Sequence, residues 1–324
     1  MLRSRVNRRL NTLLRVVAIL AVGVCLVFFV RDVNWTHLGH DLAHARIWPL
    51  VVAAVLNFVL LVGKAVCWRI MLAPRYHVST ARLVRYTIVA FAASVLAPAR
   101  AGELLRVWLL KKRDGVPVAD VAAVAIAEKL LDGVSMLVLV APLPWLLPHL
   151  EPWVTNSILI CAAIAVTAFI GLYIAVGRIK HPSSWFARFI AGMHVLHSGK
   201  RLVGSFASLF VVWLTDLAMI WLVAYAVGID LAFPAGLLIL FTLNLAITAP
   251  STPAGVGALE VGVLAATRLL GIADEPAFAL ALLYHALQII PLLVVGLVLE
   301  WRLVLGKEDV KALAAEDDPS ATAA

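Results

Sequence analysis

The sequence has few charged residues. Asp, Glu, Lys and Arg make up 14% of its 324 residues, whereas 63% are hydrophobic. A water-soluble domain could not cover its surface with so few charges, so lipid must surround most of the chain. The hydrophobic runs are long and continuous, which excludes the short alternating segments of a transmembrane β-barrel. The composition therefore predicts an all-α, polytopic bundle of transmembrane helices.

Cysteine is also scarce, and no common catalytic pattern is present. Cys25, Cys67 and Cys161 lie in or beside apolar segments without the spacing of metal ligands, so we expect free thiols. The sequence contains no HExxH, no GxSxG, no clustered His ligands and no nucleotide-binding motif. We therefore expect no metal, no cofactor and no enzymatic activity.

The positions of the basic residues are those of a membrane protein. The formal net charge is +8, but most of the 27 Lys and Arg lie at the ends of hydrophobic segments, so nucleic acid is not an expected partner. Only Arg31 and Arg46 fall in the predicted outer loops. By the positive-inside rule, we expect a protein of the cell (inner or plasma) membrane with both termini in the cytoplasm.

The apolar runs predict the organisation of one membrane domain over residues 1–312. The segment 178–201 mixes aromatic and basic residues and is predicted to lie as an amphipathic helix on the cytoplasmic surface. The polar tail, 313–324, is predicted to be disordered. The predicted full spans are 13–30, 47–66, 119–141, 156–176, 203–227 and 276–299.

Two hydrophobic segments are interrupted by polar and helix-breaking residues. They read LAPARAGELLR (96–106) and APSTPAGVGALE (249–260). The first follows an apolar run of only about a dozen residues, which reaches about 18 Å of the roughly 30 Å hydrocarbon core. Because basic residues flank it on both sides, we predict a re-entrant hairpin that enters from the cytoplasm and returns there. Irregular backbone at membrane depth requires protein or water around it.

The two broken segments resemble each other. Each has Pro, small residues, Gly and a Glu, and Glu103 and Glu260 are 157 positions apart. We predict repeat units over about 84–141 and 235–299 with inverted topology, and a substrate site at the repeat interface near the bilayer midplane. The alternative is a chance similarity between two Pro/Gly hinges.

The first broken segment supplies candidate ligands for an anion. Arg100, Glu103 and Arg106 follow one another at i, i+3 and i+6, on or near one helix face. In one interpretation Glu103 is the counter-ion of both arginines. In the other, an arginine holds a phosphate bidentately, helped by the backbone N–H groups of the new helix.

The second broken segment supplies a candidate cradle for a head group. Ser251 and Thr252 add hydroxyls, while Gly255 and Gly257 permit unusual dihedral angles. The alternative is a Pro-kinked helix whose free backbone groups are satisfied by its neighbours. Glu260 completes the predicted binding set.

The spans that follow the broken segments carry further polar residues. Glu128 and Asp132 lie at i and i+4, where a carboxylate costs about 2.5–3.5 kcal/mol on insertion scales. They could relay protons or neutralise Arg100 or Arg106. His285 and Gln288 could form the matching polar surface of the second repeat, or hydrogen-bond between helices.

Four other polar residues lie within hydrophobic runs: Asn57, Lys64, Asp216 and Asn244. Lys64 can snorkel to the cytoplasmic edge. Asp216 has no partner that the sequence identifies.

Taken in order, the motifs APARAGELLR, VAIAEKLLDGV, TPAGVGALE and ALALLYHAL resemble the transmembrane region of lysylphosphatidylglycerol synthases. This region is also found alone as a flippase-like integral membrane protein. The resemblance implies a polytopic helical domain that moves lipids between leaflets. The soluble aminoacyltransferase domain of the fused members is expected to be missing here, so lysyl transfer is not expected. Ala254 stands where Gly is usual and His285 where Arg is common, and both departures concern residues that could meet a head group.

The leading hypothesis is a transporter or flippase of an anionic or phosphate-bearing lipid. The alternatives are an accessory or scaffold protein of a lipid or envelope biosynthesis pathway, and an intramembrane lipid-modifying enzyme. The expected partners are membrane lipids and, in the scaffold alternative, envelope or lipid-biosynthesis enzymes. Phospholipids, polyprenyl phosphates and polycyclic isoprenoids all remain open as substrates.

Overall fold

The computed structural model describes residues 36, 39, 43–73, 75–96, 101–178, 193, 198–248 and 253–304. Throughout these residues the regular structure is helical and contains no strand. The predicted span at 13–30, most of the predicted amphipathic segment 178–201 and the predicted tail 313–324 lie outside the described residues.

The described helices follow the apolar runs of the sequence. A 3₁₀ turn, Pro253–Gly255, precedes the ninth helix. In chain order the α-helices are α1 Ile47–Leu72, α2 Thr80–Leu96, α3 Ala101–Asp114, α4 Val118–Val140, α5 Leu143–Leu146, α6 Pro152–Arg178, α7 Gly199–Ala226, α8 Phe233–Thr248, α9 Ala258–Leu269 and α10 Asp274–Val304.

Four of these helices, α1, α6, α7 and α10, are long and apolar enough to cross a membrane. They coincide with the predicted spans at 47–66, 156–176, 203–227 and 276–299, so the prediction of a polytopic helical bundle is confirmed. Helix α4 has 23 residues and a length of about 34 Å. It differs from the four spans in its number of charged residues, which are Asp120, Glu128, Lys129 and Asp132.

Helices α2 and α3 form the first hairpin and pack along each other. Close approach of the two backbones depends on Gly102. A Cβ added there would collide with the backbone carbonyl of Ala90 and the hydroxyl of Ser94. The open end of the hairpin is closed by an ion pair between Arg82, near the start of α2, and Asp114, at the end of α3. The two ends of the hairpin therefore lie together.

Helices α8 and α9 form the second hairpin and also approach each other closely at a glycine. A Cβ on Gly262 would stand 2.5 Å from Cα of Leu243 and 2.8 Å from the carbonyl oxygen of Thr242. Helix α8 is buried continuously from Ala235 to Leu243 and has no ionisable residue along its length. Each hairpin is thus held by a glycine on its second helix.

The chain divides into two compact units, each assembled from separate stretches. Among the described residues, the first-hairpin unit takes those within 58–139, 152–214 and 291–304, and the second-hairpin unit takes those within 36–57, 140–151 and 215–290. The core of the first-hairpin unit includes the fully buried Leu83, Leu109 and Leu209. In the second-hairpin unit, Leu264 packs with Phe278. The prediction of one membrane domain over 1–312 stays a prediction.

Candidate functional site

Arg106 lies inside the first-hairpin unit and contacts three neighbouring side chains, Glu128, Thr87 and Trp68. Its Nη2 donates to Oε2 of Glu128 at 3.0 Å, and its Nη1 lies 3.4 Å from the hydroxyl of Thr87. The guanidinium carbon stands 3.5 Å from the centre of the Trp68 ring. The indole N–H of Trp68 donates to the same Oε2 of Glu128 at 2.5 Å. Only 5% of Arg106 is exposed, so this arrangement is a desolvated ion pair on an aromatic platform.

Lys64 extends this arrangement along α4. Its Nζ lies 3.0 Å from Oδ2 of Asp132 and 3.7 Å from Oε1 of Glu128. The expectation that Lys64 snorkels to the membrane edge is therefore wrong. Two carboxylates one turn apart provide a partner within the helix packing, and a paired buried ammonium avoids the desolvation penalty of an unpaired one.

Lys64, Arg106, Glu128 and Asp132 form one buried charge cluster. Cations and carboxylates alternate along it, and the formal charges sum to zero. The sequence left open whether Glu128 acts as a counter-ion or as a proton relay. Its contact with Arg106 is that of a counter-ion. Oδ1 of Asp132 is buried without a hydrogen-bond partner among the described residues, so Asp132 retains free acceptor capacity.

Glu103 lies apart from this cluster. Its Oε1 pairs with Nζ of Lys129 at 3.0 Å, and both side chains are more than 40% exposed. The ion-pair partner of Arg106 is consequently Glu128 on α4 rather than Glu103 on its own helix. Arg100 lies outside the described residues.

In the second-hairpin unit, Glu260 joins three elements. Its Oε2 accepts the backbone N–H of Gly257 at 2.6 Å, and its Oε1 lies 2.6 Å from Nδ1 of His285 on α10. The other ring nitrogen, Nε2, lies 3.1 Å from the carbonyl oxygen of Ala254 in the turn. Both Glu260 and His285 are 5% exposed. The structure thus brings together predicted residues from the second motif and from α10.

The turn between α8 and α9 has a left-handed backbone at three positions. The φ angles are 57° at Ala254, 79° at Gly255 and 85° at Gly257. Glycine adopts such angles freely, whereas an L-residue with a Cβ pays about 1–2 kcal/mol. Ala254 is the one non-glycine residue with positive φ in the described part of the chain. Ser251 and Thr252 lie outside the described residues.

The sequence did not indicate a partner for Asp216, and the structure supplies two. The hydroxyl of Tyr284 donates to Oδ1 of Asp216 at 2.6 Å, and Nε2 of Gln288 lies 2.6 Å from that hydroxyl and 3.5 Å from Oδ1. Tyr284 and Gln288 are one helical turn apart on α10. Their spacing is visible in the sequence, but the contact with α7 depends on tertiary packing.

Two side-chain pairs occupy equivalent positions in the predicted repeats. Glu103 on α3 pairs with Lys129 on α4, and Glu260 on α9 pairs with His285 on α10. In each hairpin the first turn of the second helix is thereby bound to the helix that follows. The first pair is exposed and the second is buried.

A second correspondence involves the helices that precede the hairpins. Lys64 on α1 binds Asp132 on α4, and Asp216 on α7 contacts Gln288 on α10. Asp132 and Gln288 are 156 positions apart, close to the 157 that separate Glu103 and Glu260. The internal repeat stays a prediction, and these contacts occupy matching positions in its two units.

Comparison with known proteins agrees with this architecture. The sequence matches the family described as Lysylphosphatidylglycerol synthase TM region over residues 15–296, which include both hairpins and all the candidate site residues. The comparison with curated proteins gave no match. The family and the apolar helices indicate a membrane protein of lipid-related function. The chain belongs to the lysylphosphatidylglycerol synthase transmembrane-region family.

Proposed function

We propose that the protein moves a phosphate-bearing lipid between the two leaflets of the cell membrane and that Arg106 binds the phosphate. The observation that carries this proposal is the buried guanidinium of Arg106, held between the Trp68 ring and the Glu128 carboxylate. The family's lipid-related function supports the class of substrate.

A lipid head group can cross only where polar groups replace its water. An isolated ion in an apolar medium costs tens of kcal/mol by the Born estimate, so a translocation path needs cations that are already desolvated. Arg106 satisfies this requirement. A guanidinium can bind two phosphate oxygens at once through its planar fork. In the structure the two terminal nitrogens of Arg106 contact Glu128 and Thr87.

Before lipid binds, the Glu128 carboxylate occupies the position at the Arg106 guanidinium that the phosphate would take. When a phosphate takes the guanidinium, Glu128 keeps a counter-ion because Nζ of Lys64 already lies 3.7 Å from its other oxygen. Binding therefore exchanges one anion for another at Arg106 and leaves no carboxylate unpaired. This exchange avoids the large penalty of breaking a buried pair outright.

Location and topology follow from the same proposal. We place the chain in the inner or plasma membrane with both ends in the cytoplasm, on the strength of its Lys and Arg distribution. Enzymes that make or consume the lipid are the proposed protein partners.

The test is translocation by purified protein in liposomes. The probes are fluorescently labelled phosphatidylglycerol and a labelled polyprenyl phosphate, each quenched from outside with a membrane-impermeant reductant. We expect wild-type protein to expose inner-leaflet probe, Arg106→Gln to abolish the exposure, and Lys112→Gln to retain it. Lys112 is the matched control because it is an exposed cation on α3 that contacts Trp108.

Three results would count against the proposal. Full translocation by a folded Arg106→Gln variant would show that Arg106 does not bind the lipid during translocation. Chemical alteration of the probe would favour a lipid-modifying enzyme. Stable co-purification of a biosynthetic enzyme, together with no translocation by wild-type protein, would favour the scaffold alternative.

A further inference from the structure

The imidazole of His285 faces two hydrogen-bond acceptors at once. Nδ1 is directed at a carboxylate oxygen of Glu260 at 2.6 Å, and Nε2 at the backbone carbonyl of Ala254 at 3.1 Å. A carbonyl oxygen can only accept, so Nε2 must carry a proton to make that bond. A neutral imidazole has one N–H and can donate to only one of the two.

The geometry therefore implies an additional proton between Nδ1 and Glu260. It resides on the ring, giving an imidazolium and a carboxylate, or on the carboxyl group, giving a neutral pair. Both descriptions contain the same number of protons. Removal of that proton leaves a lone pair facing an oxygen on one side of the ring, so one of the two contacts is lost.

Among the described residues of α7, α8 and α9, no other charged group replaces the missing contact. Helix α8, which packs against α9, has no ionisable residue. On α9 the other ionisable residue is Arg268, which pairs with Asp274 at the start of α10. On α7, Asp216 is bonded to Tyr284, the residue before His285.

The contact that depends on the proton holds a strained turn. Ala254 has a left-handed backbone, which its Cβ disfavours, and its carbonyl is bound by His285. Gly257 in the same turn donates its N–H to Glu260. Two of the turn's backbone groups are thus fixed by this one Glu–His pair.

We propose that Glu260 and His285 form a proton-binding site that fixes residues 254–257 of the turn before α9 to α10, and that loss of the proton releases these residues. This site would bind H⁺ rather than lipid. It makes the second hairpin sensitive to pH, and the proposal does not depend on Arg106 or on the identity of the lipid.

Hydrogen–deuterium exchange of the full-length protein in lipid nanodiscs tests the proposal. Exchange of the amides of residues 254–261 is measured between about pH 5 and pH 9, the range of histidine titration, and corrected for the intrinsic pH dependence of exchange. We expect wild-type protection to fall about tenfold as the pH rises, the scale of one lost charge-assisted hydrogen bond.

Three variants isolate the role of the proton. His285→Arg keeps a cation with several N–H donors and should hold the turn equally at all these pH values. His285→Gln should show weak protection at low as well as high pH. His149→Gln removes an exposed histidine of the same unit and should retain the wild-type profile.

Parallel pH profiles for wild type and His285→Arg would overturn the proposal, as would a pH-independent wild type. Loss of the pH response in His149→Gln would assign the titration to another site and would also overturn it. Because exchange rather than lipid movement is measured, the outcome does not depend on whether the protein translocates lipid. Failure of translocation and failure of the proton site can therefore be told apart.

Discussion

The guanidinium of Arg106 and the carboxylate of Glu128 lie 3.0 Å apart, and both side chains are almost completely buried. A pair of this kind is costly to break by removing one partner, because the other charge is then left without compensation. Removing both charges together costs much less folding stability. A comparison of single and double variants can therefore separate the contribution of the pair to stability from its contribution to function.

The single variant Glu128→Gln should therefore be strongly destabilised. It leaves the cations of Arg106 and Lys64 with Asp132 as the one remaining carboxylate of the cluster, and we expect a loss of about 3–5 kcal/mol. The measurement is thermal unfolding in detergent, with exposed Glu103→Gln as the control that should lose about 1 kcal/mol or less. Equal stability of the two variants would contradict a buried charge cluster.

The double variant Arg106→Gln with Glu128→Gln should recover much of that stability. Both charges of the pair are removed together, and neutral amides can hydrogen-bond to each other and to Trp68. We expect unfolding closer to wild type than to Glu128→Gln, while lipid translocation stays absent. A double variant that translocates lipid would separate the pair from function.

The glycines that bring the hairpin helices together should not tolerate a methyl group. We expect Gly102→Ala and Gly262→Ala each to cost about 1–3 kcal/mol, because the added Cβ meets backbone atoms that cannot move aside. The control is Gly133→Ala on α4, where nothing lies within 4 Å of the added Cβ. There, the greater helix propensity of Ala should stabilise the protein by up to about 1 kcal/mol. Unfolding temperatures that fall equally in all three variants would refute this account.

Ala254→Gly should raise stability. Glycine adopts the observed φ of 57° without a Cβ clash, which relieves about 1–2 kcal/mol. The greater freedom of glycine in the unfolded chain offsets part of this, so we expect a net gain of up to about 1 kcal/mol. Thermal unfolding measures the change, and a lower unfolding temperature would show that the alanine methyl contributes packing that outweighs the strain.

The orientation of the hairpins can be tested by cysteine labelling in intact and permeabilised cells. In a background without native cysteines, His77→Cys and Lys112→Cys should react only after permeabilisation, because both ends of the first hairpin are predicted to be cytoplasmic. Asp230→Cys and Ala273→Cys, at the ends of the second hairpin, should react from outside. All four positions are exposed. Labelling of all four from one side would exclude the inverted arrangement.

Sequence patterns were sufficient to predict the positions of the long helices and of the breaks between helices. The apolar runs placed α1, α6, α7 and α10, because length and hydrophobicity alone determine whether a helix can span lipid. Proline and glycine marked the second turn, where three residues adopt positive φ.

Partners across the fold could not be predicted in the same way. Lys64 was expected at the membrane edge but binds α4, and Asp216 was left without a partner although Tyr284 binds it. These residues are each 68 positions from the group they contact. A helical period shows which face a side chain occupies, whereas tertiary packing decides which helix that face meets.

The neutrality of the four-residue charge cluster has an electrical consequence. A charge that moves through the transmembrane voltage exchanges about 2.3 kcal/mol per 100 mV, but a group whose charges cancel exchanges none when it moves as a body. Movement of Lys64, Arg106, Glu128 and Asp132 together as one body would itself be insensitive to membrane potential. Any voltage dependence of transport would then come from charges outside this cluster, including the charge of the cargo.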